Sequence, residues 1–140
     1  MLLIDKLSPK PIYEQIIENI EQNILLGIYP PGTLLPSLRE LSVTLGINPN
    51  TIQKAYAELT RRGVISPSPG SGSYVSPQSL DLLRAEKRKR LEDLRVLVRE
   101  LTLAGIEKEE LLSIVSSASA DSKKESEEAP KPTLESLDSI

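Results

Sequence analysis

A short run of polar side chains carries the clearest chemistry in this sequence. Asn48, Asn50, Thr51, Gln53 and Lys54 fall within seven residues and are interleaved with the apolar Ile52, Ala55, Tyr56 and Leu59. An Asn or Gln amide places one donor beside one acceptor, the pair that matches an adenine edge, and a Lys ammonium reaches guanine or a phosphate. Thr51, near a helix start, suits a backbone phosphate, helped by the N–H groups of a first helical turn. Arg39 lies upstream and is a further candidate for a phosphate or a groove edge. These residues act together only if one rigid element turns them outward. On an ordinary surface helix the same residues simply meet water.

Most other chemistries are excluded by composition. The chain has 140 residues with no Cys and no His, so disulfides, Cys/His metal sites and His-dependent triads are absent. No metal or cofactor site is read. The acid pairs Glu109/Glu110 and Glu127/Glu128 sit in helical-surface or tail contexts, and no enzyme is expected. With 17 Lys/Arg against 20 Asp/Glu the net charge is -3, which excludes a strongly basic coat but not a local basic face. Four Tyr supply all the aromatic content, too few for a base-stacking platform. No apolar run approaches the ~20 residues that span a bilayer. The first residues carry no signal-peptide pattern, so a cytoplasmic, nucleoid-associated location is expected.

The elements follow from periodicity and punctuation. Pro11 suits a helix start, and Ile12, Ile16, Ile20 and Ile24, flanked by Tyr13 and Ile17, form one stripe. Gly27 and Pro30-Pro31-Gly32 end that helix. Ser37-Leu38-Arg39-Glu40 is a capping box, and Leu38, Leu41 and Leu45 give the helix behind it a buried face. Gly46 ends it. Asn48 caps a third helix with Pro49 at its first position. Ile52, Ala55, Tyr56 and Leu59 turn inward there, so at 100° per residue Asn50, Lys54, Ala57 and Arg61 point outward, with Gln53 and Thr51 on the flanks. Val64-Ile65-Ser66 and Ser73-Tyr74-Val75 read as two strands. The Pro-Gly-Ser-Gly tip between them includes Gly70 and Ser71, where the backbone can approach a phosphate or a minor groove. Two short, separately capped helices joined by Gly46-Ile47 form a helix-turn-helix.

The ordered motifs Pro31 to Leu41, Gly46 to Leu59, Arg62-Gly63-Val64-Ile65 and Gly70 to Val75 resemble the winged-helix domain of GntR-type bacterial transcription regulators. Ser8-Pro9-Lys10-Pro11-Ile12-Tyr13-Glu14-Gln15-Ile16 is similar to the same family, and the likeness covers about residues 10–76. It implies DNA-contacting positions at Arg39, Asn50, Thr51, Gln53 and Gly70. Asn48, Lys54 and Ser71 complete the candidate DNA-binding set. Many members carry Arg where Pro49 stands and a cation in the wing. Here both are missing, so wing contacts to phosphate would rest on backbone N–H groups.

The remainder is read as a helix over about 79–103, a break at Ala104-Gly105-Ile106 and a shorter helix near 107–117. Leu91, Leu94, Val98 and Leu101 fall at alternating steps of three and four, with Leu97 widening the seam. Leu111, Leu112, Ile114 and Val115 offer a second stripe. Two helices alone make a poor core, so a second copy of the chain is the expected partner. The cations Arg84 and Lys87 to Arg90 read first as a solvated helix face.

The expected architecture is mainly α with a small β-hairpin. A winged helix-turn-helix occupies 1–77, a two-helix dimerisation region 78–118 and a disordered Ser/Glu/Lys/Pro-rich tail 119–140. This short helical region resembles the YtrA-type branch of the family. The resemblance implies a homodimeric repressor on a palindromic operator of double-stranded DNA, controlling a transporter operon. No residue pattern marks an effector, so a small-molecule effector stays an unidentified partner. The alternative reading is a winged-helix interaction module without DNA binding, motivated by the uncharged wing and the net charge of -3.

Overall fold

A computed structural model describes residues 2–70 and 72–128. In chain order the elements are α1 (Ile12–Leu25), α2 (Leu38–Leu45), α3 (Pro49–Arg61), β1 (Ile65–Pro67), β2 (Ser73–Val75), α4 (Ser79–Arg88), α5 (Leu91–Leu103) and α6 (Lys108–Glu128). They form two compact units, divided between Leu83 and Arg84. The expected mainly helical chain with one small hairpin is what the structure shows.

The first unit is held by the isoleucine stripe. Ile16, Ile20 and Ile24 of α1 are fully buried, and α3 packs against them through Ile52, Ala55, Tyr56 and Leu59. α2 contributes the buried Leu41 and packs on α3 from another side. Val64, Ile65 and Val75 of the hairpin close the core. A partly buried ion pair spans the α1–α3 contact: the Arg62 guanidinium lies 2.7 Å from the Glu21 carboxylate.

The hairpin pairs Ile65 with Val75 and Pro67 with Ser73 in antiparallel register. A third segment joins it, as the sequence reading did not foresee. Leu35 N–H donates to Ser73 O at 2.8 Å, Val75 N–H donates to Thr33 O at 2.9 Å, and Leu34 bridges to Tyr74. The residues just before α2 are thereby fastened to the wing.

Three boundaries differ from expectation. The first unit runs past residue 77, because Ser79 and Leu83 are fully buried within it. The expected helix over 79–103 is two helices, α4 and α5, interrupted at Lys89 and Arg90. There the Arg90 N–H turns back to Lys87 O at 3.0 Å. Like charges at Lys87/Arg90 (three apart) and Arg84/Arg88 (four apart) face one another on adjacent turns and disfavour a continuous helix at that point. The last helix also does not stop near 117: α6 continues to Glu128, into the stretch expected to be a disordered tail. Ala118, Ala120, Lys123, Lys124 and Glu125 are strong helix formers, and a solvated helix needs no core of its own residue by residue. The rest of that expected tail, residues 129–140, lies outside the described residues.

In the second unit α5 has no buried residue. Leu91, Leu94, Leu97, Val98, Leu112 and Val115 are exposed, while Leu101 and Leu111 are half-buried. Gly105, with φ +94°, makes the turn between α5 and α6 that a residue with a Cβ would resist.

The burial of the Arg62–Glu21 pair makes it a stability test. Arg62→Met removes a charge-assisted contact from a carboxylate that is only 9% exposed, and unfolding in urea should show a loss of about 2 kcal/mol. Lys10→Met breaks the exposed Lys10–Glu18 pair and should cost no more than about 0.5 kcal/mol.

Candidate nucleic-acid interface

The interface is built by fixing the rotation of α3. With Ile52, Ala55 and Leu59 at or near zero exposure, the opposite face has no choice of direction. Asn50, Gln53, Lys54, Ala57 and Arg61 are exposed, and Thr51 is half-buried at its edge. The phenol of Tyr56 reaches across and donates to Pro36 O at 2.7 Å, tying α3 to the segment that leads into α2. Burial pushes the Tyr56 hydroxyl far above its ordinary pKa, so it remains a donor.

Both helix starts are capped as the sequence predicts. Glu40 N–H donates to Ser37 Oγ at 3.0 Å, and Ser37 N–H donates to Glu40 Oε2 at 3.4 Å. Asn50 N–H donates to Asn48 Oδ1 at 2.9 Å, with Pro49 at the first helical position. The first-turn amides were expected to help Thr51 hold a phosphate, but the Asn50 and Thr51 N–H groups are already occupied by Asn48. Asn48 itself acts first as a cap.

A groove of about 750 Å³ runs between the start of α2, the outer face of α3 and the hairpin, and Arg39, Gln53, Ala57, Arg61, Gly72 and Ser73 are among its lining residues. The structure therefore brings Arg39 and Gln53 to one surface. Asn48, Asn50 and Thr51 sit at the N-terminal end of α3, outside the groove lining. Gly70 is exposed in the β1–β2 connection with φ +98°. Ser71 lies outside the described residues. Ser73, with the groove it lines, was not singled out in the sequence; its place depends on the pairing of Leu35 to β2, which has no local signature.

The cations of this unit are largely occupied. The Lys54 ammonium lies over the Tyr13 ring, 3.8 Å from its centre, rather than standing free. Arg61 makes two bonds to Glu58, at 2.9 and 2.6 Å. Those bonds hold the Glu58 carboxyl below its usual range. Their stabilisation is present above that range and is lost as pH falls through the lowered value. Lys10 pairs with Glu18, Arg62 with Glu21, and Lys6 donates to Gly46 O. Among the described residues of this unit, Arg39 is the cation left without an intramolecular partner.

Residues 12–75 match the profile of the bacterial regulatory proteins of the gntR family. The chain is also 42% identical over 124 residues to the HTH-type transcriptional repressor YtrA of Bacillus subtilis (strain 168), covering 88% of this chain and 95% of that protein. The chain belongs to the gntR family of bacterial regulatory proteins. A GntR family transcriptional regulator from Listeria monocytogenes has a similar structure, with TM-score 0.65 and 36% identity over 79% of this chain and 96% of that one. The structure of YtrA from Sulfolobus acidocaldarius, a GntR-family transcription factor, matches with TM-score 0.52 and 30% identity, covering 85% of this chain and 97% of that one. The likeness to both extends beyond the winged unit of this gntR chain, as the short helical remainder anticipates. No helix among the described residues is long and apolar enough to cross a membrane.

The cap of α2 sets where Arg39 stands in this gntR chain. Ser37→Ala removes the Oγ that accepts from the Glu40 N–H, leaving only the backbone half of the capping box, and should lower stability by about 1 kcal/mol in thermal or urea unfolding.

Proposed function

We propose that the chain is a homodimeric repressor that reads a palindromic DNA operator with α3 of each copy. The observation that carries this reading is the state of two side chains. The Asn50 and Gln53 amides are exposed on a rigid helix and have no intramolecular partner among the described residues. An amide pair held outward in this way fits an adenine edge in the ~12 Å major groove. Arg39, beside Gln53 in the same groove and free of a counter-charge, supplies attraction to the phosphate backbone. Thr51 adds a hydroxyl at the helix start. Gly70 and its neighbours would approach DNA through backbone alone.

The dimer rests on the second unit. Leu91, Leu94, Leu97 and Val98 of α5 and Leu112 and Val115 of α6 keep much of their apolar area exposed, with Leu101 and Leu111 half-covered. A second copy would bury those stripes and supply the two-fold axis that a palindrome mirrors, with half-sites about 10 bp apart or a little more. The relatives' names, repressor and transcriptional regulator, favour this reading over an interaction module without DNA. A transporter operon is its proposed target, on the strength of the YtrA-type resemblance. No catalytic role and no effector-binding residue is assigned.

Fluorescence anisotropy with duplex DNA from the promoter region of its own gene tests the reading. Log affinity should fall linearly with log salt, by about 0.9 per neutralised phosphate. A salt-independent or absent shift contradicts it. Asn50→Ala or Gln53→Ala should cost about 1–3 kcal/mol on the preferred sequence and relax discrimination at one position. Arg39→Ala should weaken all sequences alike and reduce the salt slope by about 1. Separately, the double substitution Leu94→Glu and Leu101→Glu should give monomers in sedimentation; an intact dimer would reject the seam.

A further inference from the structure

We propose that Tyr13 sets the specificity of DNA reading by holding Lys54 off the duplex. This rests on the assignment of α3 as the reading helix. Lys54 is exposed on the outward side of α3, and its ammonium is folded back onto α1. It lies over the face of Tyr13, 3.8 Å from the ring centre. The negative face of an aromatic ring attracts a cation at this range. Tyr13 is half-buried on α1 and packed against the core, so its ring is a fixed platform. Its hydroxyl donates to Glu14 Oε1 at 3.3 Å.

The surroundings reinforce the capture. Lys54 and Tyr13 line a cleft of about 570 Å³ between α1 and α3, together with Glu14, Glu58, Arg61 and Arg62. The Glu14 carboxylate, with burial and more weakly the Glu58 carboxylate, pushes the Tyr13 hydroxyl above its ordinary pKa, so two carboxylates act on the site that receives the ammonium. Arg61, the other cation of α3, is committed to Glu58. Both positive charges of the reading helix are thus engaged within the protein, and the face left for the bases carries neutral amides.

This arrangement has a consequence for selectivity. A free lysine on a helix in the groove attracts every phosphate alike, and it raises affinity for all sequences together. Docking it on Tyr13 removes that uniform contribution and leaves discrimination to Asn50 and Gln53. Tyr13 is therefore a positioning residue; it acts through Lys54 and makes no DNA contact itself.

Anisotropy titrations of the full chain against its own promoter duplex and a random duplex of equal length, across a salt series, test the proposal. Tyr13→Leu keeps an apolar side chain but removes the ring. It should tighten binding to the random duplex by about two- to fivefold and steepen the salt slope by about 0.9. The promoter-to-random affinity ratio should fall. Tyr13→Phe keeps the ring face and should behave as the unaltered chain. Lys54→Gln added to Tyr13→Leu should restore the original slope, which a purely structural role of Tyr13 would not do. An unchanged slope in Tyr13→Leu overturns the proposal. So does a slope lowered by Lys54→Gln alone, since Lys54 would then already sit on phosphate. Should Tyr13→Leu fail to fold, Tyr13→Met replaces it with the same expected outcomes, and a lowered slope in Lys54→Gln alone still overturns the proposal. Should the unaltered chain show no salt-dependent preference for its promoter, the assignment of the reading helix fails instead.

Discussion

Everything at the proposed interface depends on one packing constraint: the burial of the apolar face of α3 between α1 and α2. Ile52, Ala55, Tyr56 and Leu59 leave that helix a single rotation. A turn of one residue would drive an amide or an ammonium into the core and expose a leucine, at a cost of several kcal/mol. The polar residues therefore stand where they do because the apolar ones cannot stand elsewhere. The bond from Tyr56 to Pro36 and the pairing of Leu35 to Ser73 extend the same rigidity to α2 and the hairpin. The groove between them is preformed.

Charge works differently here from the usual picture of a DNA-binding surface. The first 79 residues carry six cations and six anions; three ion pairs absorb half of them, and a carbonyl and a ring hold two further cations. The net charge of -3 is then no objection to DNA binding, because what matters is which cations remain free and where. Arg39 is free and lines the groove. With so few unpaired cations, sequence discrimination must draw heavily on hydrogen bonds to base edges, and the uncharged hairpin tip is consistent with that economy of charge.

Much of this was legible in the sequence. Capping boxes, N-cap asparagine and helix-ending glycines are local devices, and Ser37, Asn48 and Gly46 act as read. The outward set on α3 followed from simple periodicity. What escaped the reading was non-local. Nothing near Lys54 in the chain announces that Tyr13, forty-one residues earlier, will receive its ammonium. The strand-like pairing of Leu35 likewise depends on a partner far along the chain. The remaining differences lie where local charge and propensity outweigh the apolar spacing. The Lys87 to Arg90 run interrupts a helix that its leucine spacing would continue, and α6 persists to Glu128 on helix-forming residues alone.

The absence of any cysteine allows a single reporter to be attached without ambiguity. Ala57 is exposed on the outward face of α3 and lines the groove. An iron chelate tethered at Ala57→Cys would cleave whatever DNA lies against that face. The account predicts cleavage confined to two clusters, one within each half-site of the bound promoter duplex. A duplex that is bound but uncut, or cut only in its flanks, would show that α3 faces away from the bases and would contradict the account.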